Sequence, residues 1–273
     1  MTMRCATVLF LSGLLLAGGF AAHAAPTVSA SAEEALKRSR AAEGRVVGSH
    51  QLQDQDGRVV DIAQYRGKPL VISMIYTACD HTCPVTTQNV ARAVAGARKT
   101  LGKDSFQVLS IGFDTVRDTP ENLKVYAKQQ GIDADGWSFL AGNPASMEAL
   151  AADLGFTWYV TSRGFDHIAQ TTVLDGEGRI YRQVYGENFE LPLLVEPLKD
   201  LVLGRTAALT SLQSISDRVR FFCTVYDPHS DAYRFDYGIF LSIGSGFLAV
   251  LTIIWMTIRM WRDSKRVPRQ PSA

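Results

Sequence analysis

From position 237 to 258 the chain runs for 22 residues without a charge, and Arg259, Arg262, Lys265, Arg266 and Arg269 then follow with only Asp263 opposing them. About 20 apolar residues in a helix cover the ~30 Å hydrocarbon layer of a bilayer, so this run predicts a single membrane-spanning helix. A buried core helix would need neither that length nor that basic flank. Basic residues gather on the cytoplasmic side of a span, which makes 259–273 a cytoplasmic tail and puts the preceding chain on the outer side. Trp255 and Trp261 stand at one end and Tyr233 and Tyr237 at the other, where an interfacial aromatic belt belongs. Gly238, Gly244 and Gly246 offer a face for helix pairing, although glycine is common in such helices anyway.

The other end of the chain agrees with this orientation. Residues 1–24 read as a secretory signal: Arg4 precedes an apolar core at 8–20, and Ala22-His23-Ala24 supplies small residues for cleavage. The apolar run is short for a retained anchor and contains Gly13, Gly18 and Gly19. Cys5 lies ahead of the apolar core and leaves with the peptide. The expectation is a bacterial-type inner-membrane protein with one C-terminal span and its globular part in the periplasm. The net charge is +1, and no long basic run occurs outside the tail, so nucleic acid is not a natural partner. Of four cysteines, Cys79, Cys83 and Cys223 survive removal of the signal. An odd number in an oxidising compartment leaves at least one thiol outside an intrachain bridge.

Residues 45–205 are enough chain for one domain of ordinary size, preceded by a tether or surface helix at 25–44. Positions 59–62 follow the Asp56-Gly57 turn as the second arm of a hairpin. The continuous apolar runs at 69–75 and 106–112 read as buried strands. Helical spacing covers 84–99, with Pro84 in the first turn, where a missing N–H costs least. A second helix opens at Asp118 or Thr119 as cap, with Pro120 next, and stops at Gly131. A strand at 137–140, a helix at 144–154 ended by Gly155, a hairpin at 169–174 and 179–185, and a helix at 191–203 complete the order. The sum is an α/β fold with a mixed central sheet.

Chemistry concentrates in Tyr76-Thr77-Ala78-Cys79-Asp80-His81-Thr82-Cys83-Pro84, at a strand-to-helix junction. Two thiols four positions apart can bind a soft metal, cycle between dithiol and disulfide, or hold a loop closed. A bridge closing so small a loop constrains the unfolded chain little, which argues against a mere staple. The dipole of the helix opening at Pro84 is expected to favour thiolate at Cys83. His167, far downstream, could fold back to add imidazole to two thiolates, a set suited to Cu(I) or, with an open position, Cu(II).

The combination Cys79-x-x-x-Cys83-Pro84, then Phe113-Asp114-x-x-Arg117-Asp118-Thr119-Pro120, then Asp166-His167 ahead of a Thr-rich strand, resembles the Sco/SenC family over about 46–203. That resemblance implies a thioredoxin-like fold, copper held by Cys79, Cys83 and His167, and a role as chaperone for the binuclear copper site of cytochrome c oxidase. It implies as partners a copper-accepting oxidase subunit and a copper or dithiol protein as donor. The polar segment 161–166 would be a mobile loop carrying His167 to the sulfurs. A rival is a thiol–disulfide oxidoreductase using Cys79 and Cys83 to reduce the acceptor's cysteines; a third reading is a copper or redox sensor. No proline lies between Pro144 and Pro192, so the proline that faces the dithiol in thioredoxin-type oxidoreductases has no counterpart.

Other residues carry weaker signals. His81 is a solvent-facing loop residue or a transient copper contact. Asp114 is a turn acid or shapes the metal loop, Arg117 is structural or partner-facing, and Asp166 is a loop acid or orients the imidazole. In the juxtamembrane stretch 206–236, Cys223 and His229 could form a second soft-metal site, but their spacing matches no metal motif. The plain alternative is an amphipathic stretch with Phe221, Phe222, Val225 and Tyr226 toward lipid or a partner.

Overall fold

The alternation of apolar runs and amphipathic stretches resolves into one seven-stranded sheet with helices between its strands. The computed structural model describes residues 30–80, 82–132, 135–162, 164–205, 224–227, 232–235 and 238–264. Expectations for the signal segment, His81, Cys223, His229 and Tyr237 lie outside these residues.

A helix, α1 (Ala30–Ala42), comes first where a tether or helix was expected. The hairpin β1 (Gln51–Asp54) and β2 (Val59–Asp61) follows, and a short 3-10 turn, Ile62–Tyr65, capped by the Asp61 side chain, leads into β3 (Leu70–Ile75). Next come α2 (Thr82–Leu101) and β4 (Gln107–Gly112), then α3 (Pro120–Gln129) and β5 (Trp137–Ala141). After them stand α4 (Pro144–Leu154), the small hairpin β6 (Trp158–Thr161) and β7 (Gly164–His167), β8 (Gln170–Leu174), β9 (Ile180–Tyr185) and α5 (Pro192–Arg205). Toward the C-terminus are a two-stranded ribbon, β10 (Thr224–Asp227) and β11 (Ala232–Phe235), and a long helix, α6 (Gly238–Ser264).

The strand order is β2-β1-β5-β4-β3-β8-β9. β3, β4 and β5 run parallel, joined through α2 and α3, whereas β8 pairs antiparallel with β3, and β1 with β5. This is the predicted α/β fold with a mixed sheet. β3 is buried at every position, as a central strand covered on both faces must be. β8 is also buried throughout although it begins Gln-Thr-Thr. Part of its polar edge finds internal partners: Thr172 donates to Gln183 at 2.7 Å, and the Gln170 amide and that of Gln183 on β9 both donate to the Leu154 carbonyl at the end of α4, while the Gln170 Oε1 and the Thr171 hydroxyl are buried without a hydrogen bond. On the other side of the middle strands, α2 packs against α5, and its Thr87 hydroxyl pairs with that of Tyr126 on α3 at 2.9 Å.

One outcome differs from the sequence reading. The polar stretch ahead of His167 is the second arm of a hairpin, closed by the Thr161 hydroxyl donating to the Gly164 carbonyl, and not a free loop. Of the two caps expected for α3, Thr119 is the one observed, its side chain accepting the Asn122 N–H, while Asp118 turns inward. In α6 the part long and apolar enough to cross a membrane is Leu241–Arg262, a few residues beyond the predicted run. Arg259 lies over the Trp255 ring at 5.3 Å.

Candidate metal centre

β3 points its C-terminal end at the dithiol. After Ile75 the chain turns, and the Cys79 N–H donates to the Tyr76 carbonyl at 3.1 Å. Cys79 is half-buried, while Cys83, already in the first turn of α2, is only 2% exposed. Neither forms a disulfide. The first amides of a helix have no partner within it, and one of them, the Cys83 N–H, donates to the Cys79 sulfur at 3.2 Å. Cys79 therefore stands where a capping side chain would, and the helix dipole favours negative charge on it. The expectation that the dipole would favour thiolate at Cys83 is corrected. The hydrogen bond to the Cys79 sulfur, and then burial, push the Cys83 thiol well above its ordinary range. Helix α2 starts two residues before Pro84, which places Cys83 inside the helix rather than in front of it.

A residue read only as a cap candidate holds this turn in place. Asp118 is 3% exposed. One carboxylate oxygen accepts both the N–H and the hydroxyl of Thr77, at 2.8 and 2.7 Å, and the other accepts the Asp114 N–H at 2.9 Å. Burial raises its pKa above the usual carboxylate value, against the lowering effect of those bonds. Gly112 makes the room, since a Cβ there would come within 2.5 Å of the Asp118 Cβ. Asp114 is a turn acid in the same loop, accepting the Val116 N–H at 3.3 Å, with the exposed Arg117 at 3.9 Å. The family pattern contained Asp118, but no local signal showed it turning inward.

His167, at the end of β7 and just ahead of β8, reaches the same end of the sheet because β8 runs antiparallel to β3. Its ring lies edge-on to Phe113 at 5.2 Å and to Tyr76 at 6.1 Å, and tilted on Phe156 at 5.5 Å. Phe113 is buried at the hub and also meets Trp158 and Phe165. The Nδ1 of His167 lies 3.0 Å from the Ile168 carbonyl oxygen. A carbonyl only accepts, so Nδ1 carries a proton, and in the neutral imidazole Nε2 is then the nitrogen whose lone pair can meet a ligand. Asp166 is exposed, and the carbonyl, rather than this acid, orients the imidazole.

Among the described residues no group of three or more His, Cys, Asp or Glu side chains is gathered tightly enough to hold a metal ion. Cys79 and Cys83 are together, and His167 stands apart across the Tyr76 and Phe113 rings. The donor set nevertheless fits a soft ion: two sulfurs and an imidazole nitrogen free at Nε2, backed by an aromatic wall.

A model of the SCO1/SenC family matches residues 38–202. A Bacillus subtilis protein named as an SCO1 homologue is 30% identical over 92 residues, 33% of this chain and 46% of that protein. A Stutzerimonas stutzeri protein named for copper binding is 28% identical over 111 residues, 41% of this chain and 52% of that protein. The chain thus spans about half the length of these curated relatives. A crystal structure from Aquifex aeolicus VF5, of a protein named for electron transfer, superposes with a TM-score of 0.55 at 28% identity, covering 60% of this chain and 96% of that one. The thioredoxin-like α/β fold expected from the element order is the fold of this chain.

Proposed function

The chain belongs to the SCO1/SenC family, and from that premise we propose that it is a membrane-anchored copper chaperone working on the periplasmic side of a bacterial inner membrane. Family members are cytochrome c oxidase assembly proteins, and a relative is named for binding copper. In this reading copper is cargo, held by Cys79, Cys83 and His167 and passed to the copper-accepting subunit of an oxidase. The observation that carries it is the pairing of two cysteines outside any disulfide with an imidazole that is bonded to the backbone through Nδ1, which leaves Nε2 as its ligand atom, at the same end of the sheet.

Loading requires both thiols to lose their protons. The Cys83 thiol resists, because a hydrogen bond to the Cys79 sulfur and burial favour its protonated form, so copper must displace that proton and loading weakens as pH falls. Cys79 offers the first, half-exposed sulfur, and His167 joins by movement of the β6–β7 hairpin. Transfer reverses the order, with the imidazole leaving first and the acceptor's ligands replacing one sulfur at a time. Helix α6 would hold the domain at the membrane, its basic end in the cytoplasm.

The rival reading, a thiol–disulfide oxidoreductase, is favoured by the placement of the Cys79 sulfur on a helix N-terminal amide, which suits a nucleophile. The two separate by titrating the reduced full-length protein in detergent with Cu(I) against a competing chelator, beside Cys79→Ser and His167→Ala. One copper per chain, lost without Cys79 and weakened about 10- to 100-fold without His167, is the expected result. Binding no tighter in the wild type than in Cys79→Ser would leave the oxidoreductase as the better account.

A further inference from the structure

The last turns of α6 carry charge that no described residue balances. Side chains three, four and seven positions apart share one side of a helix, which sets Trp255, Arg259 and Arg262 in one stripe. Toward the middle of α6 the stripe continues through Leu251 and Leu248, and these side chains are all exposed. The Arg259 guanidinium lies over the Trp255 ring at 5.3 Å. A ring attracts a cation through its quadrupole and takes up none of its N–H donors in a conventional hydrogen bond. The planar fork of Arg259 is therefore held in place and still open to a bidentate acceptor such as phosphate. Among the described residues neither Arg259 nor Arg262 makes an ion pair. The one acid close by in sequence, Asp263, is the next residue along and so leaves the stripe by about 100°.

We propose that Trp255, Arg259 and Arg262 form a binding site for the phosphate of an anionic glycerophospholipid, with the Leu248 and Leu251 side of α6 against its acyl chains. The site rests on the membrane anchoring proposed above, which sets this end of α6 in the cytoplasmic leaflet. An indole at the end of a span sits at headgroup level, so the ring that holds Arg259 also fixes its depth. Arg262 lies about 4.5 Å further along the axis, within reach of the same headgroup. Two uncompensated cations favour a lipid of net negative charge over a zwitterionic one, whose own cationic group already stands beside its phosphate. Lys265, Arg266 and Arg269 attract any anionic surface without selecting a place on it. The stripe is different, because it joins two cations, a ring that orients one of them, and an apolar side for the chains. A lipid held there fixes the rotation of α6 about its axis as well as its depth.

The test uses the full-length protein in phosphatidylcholine bilayers carrying a trace of spin-labelled phosphatidylglycerol or spin-labelled phosphatidylcholine. The motionally restricted fraction of each label reports its affinity for α6. Phosphatidylglycerol should be preferred about fivefold, as expected for one basic side chain meeting an anionic headgroup. Arg259→Gln with Arg262→Gln should bring the preference to under about 1.5-fold. Trp255→Leu, which releases Arg259 from the ring, should lower it to about two- to threefold. Lys265→Gln, Arg266→Gln and Arg269→Gln together should leave about half of it or more. Loss of the preference in that tail variant, with the Arg259 and Arg262 variant unchanged, overturns the site. Loss of the preference in excess inorganic phosphate at fixed ionic strength would mark a free-anion site and overturn the lipid assignment. A wild-type protein that does not float with phosphatidylcholine vesicles would overturn the membrane reading and this site together. Flotation without a preference overturns the site and leaves the anchoring standing.

Discussion

The dithiol turn and the His167 hairpin meet at one end of the sheet, yet they are held there by different forces. The turn is fixed by directional polar bonds: Asp118 grips Thr77 through two donors and Asp114 through a third, and the Cys83 amide points at the Cys79 sulfur. The hairpin leans on rings, with Trp158, Phe165 and His167 set against Phe113 and Phe156. Hydrogen bonds are directional and weaken steeply when bent, whereas edge-on and tilted ring contacts tolerate sliding. On the chaperone reading proposed above, this arrangement keeps the sulfurs still and lets the imidazole travel. That division suits a carrier, which must take up an ion and also release it.

Breaking the ring side at its hub should give the largest effect. Phe113 is buried and touches every ring of the cluster, so Phe113→Ala should cost about 3–5 kcal/mol in denaturant unfolding. A loss below about 1 kcal/mol would mean that the hairpin and its cluster do not share the domain's cooperative core. On the polar side, Asp118→Ala strands three donors in a site with little access to water, and should cost about 2–3 kcal/mol. The two variants sharpen the contrast when thiol reactivity is followed as well. Asp118→Ala should change the alkylation rate of Cys79 by loosening Thr77, and Phe113→Ala should change it far less. Gly112→Ala approaches the same grip from behind, forcing Asp118 back from a contact of 2.5 Å, at about 1–3 kcal/mol. If it left both stability and Cys79 reactivity untouched, Asp118 would not be the anchor of the turn.

The same contrast explains what could be read from the sequence. Continuous apolar runs became β3 and β4, and the Pro120 and Pro144 starts became α3 and α4 at the expected positions, because local propensity and burial point the same way there. Cys79 and Cys83 could be picked out by type and spacing. Their division of labour could not, because one helical turn decides which sulfur lies in front of the dipole and which lies beneath it. The hairpin escaped notice since each arm has only four residues, too few to show a period of two, and Gly164 and Asp166 make it look like loop. Asp118 was hidden for another reason: an acid before Thr-Pro reads as a cap, and only the missing side chain of Gly112 across the sheet end lets it turn inward.

The smallest effect is a matter of sign. Three donated hydrogen bonds favour ionised Asp118, and burial favours the neutral acid; burial prevails, and the folded pKa stands above the ordinary 3.8. A raised carboxyl pKa means that the folded state binds its proton more tightly than the unfolded chain does. The stabilisation is then complete below the unfolded pKa and is lost as pH rises through the folded one. Exposed acids such as Asp56 and Glu121 are shifted the other way and would mask this in the wild type alone. Asp118→Asn cannot ionise, so the stability gap between wild type and variant isolates the carboxyl. That gap should narrow as pH climbs through the folded pKa of Asp118. A gap that widens instead would show that the three donors outweigh burial, and that the turn is held by a charge rather than by a buried acid.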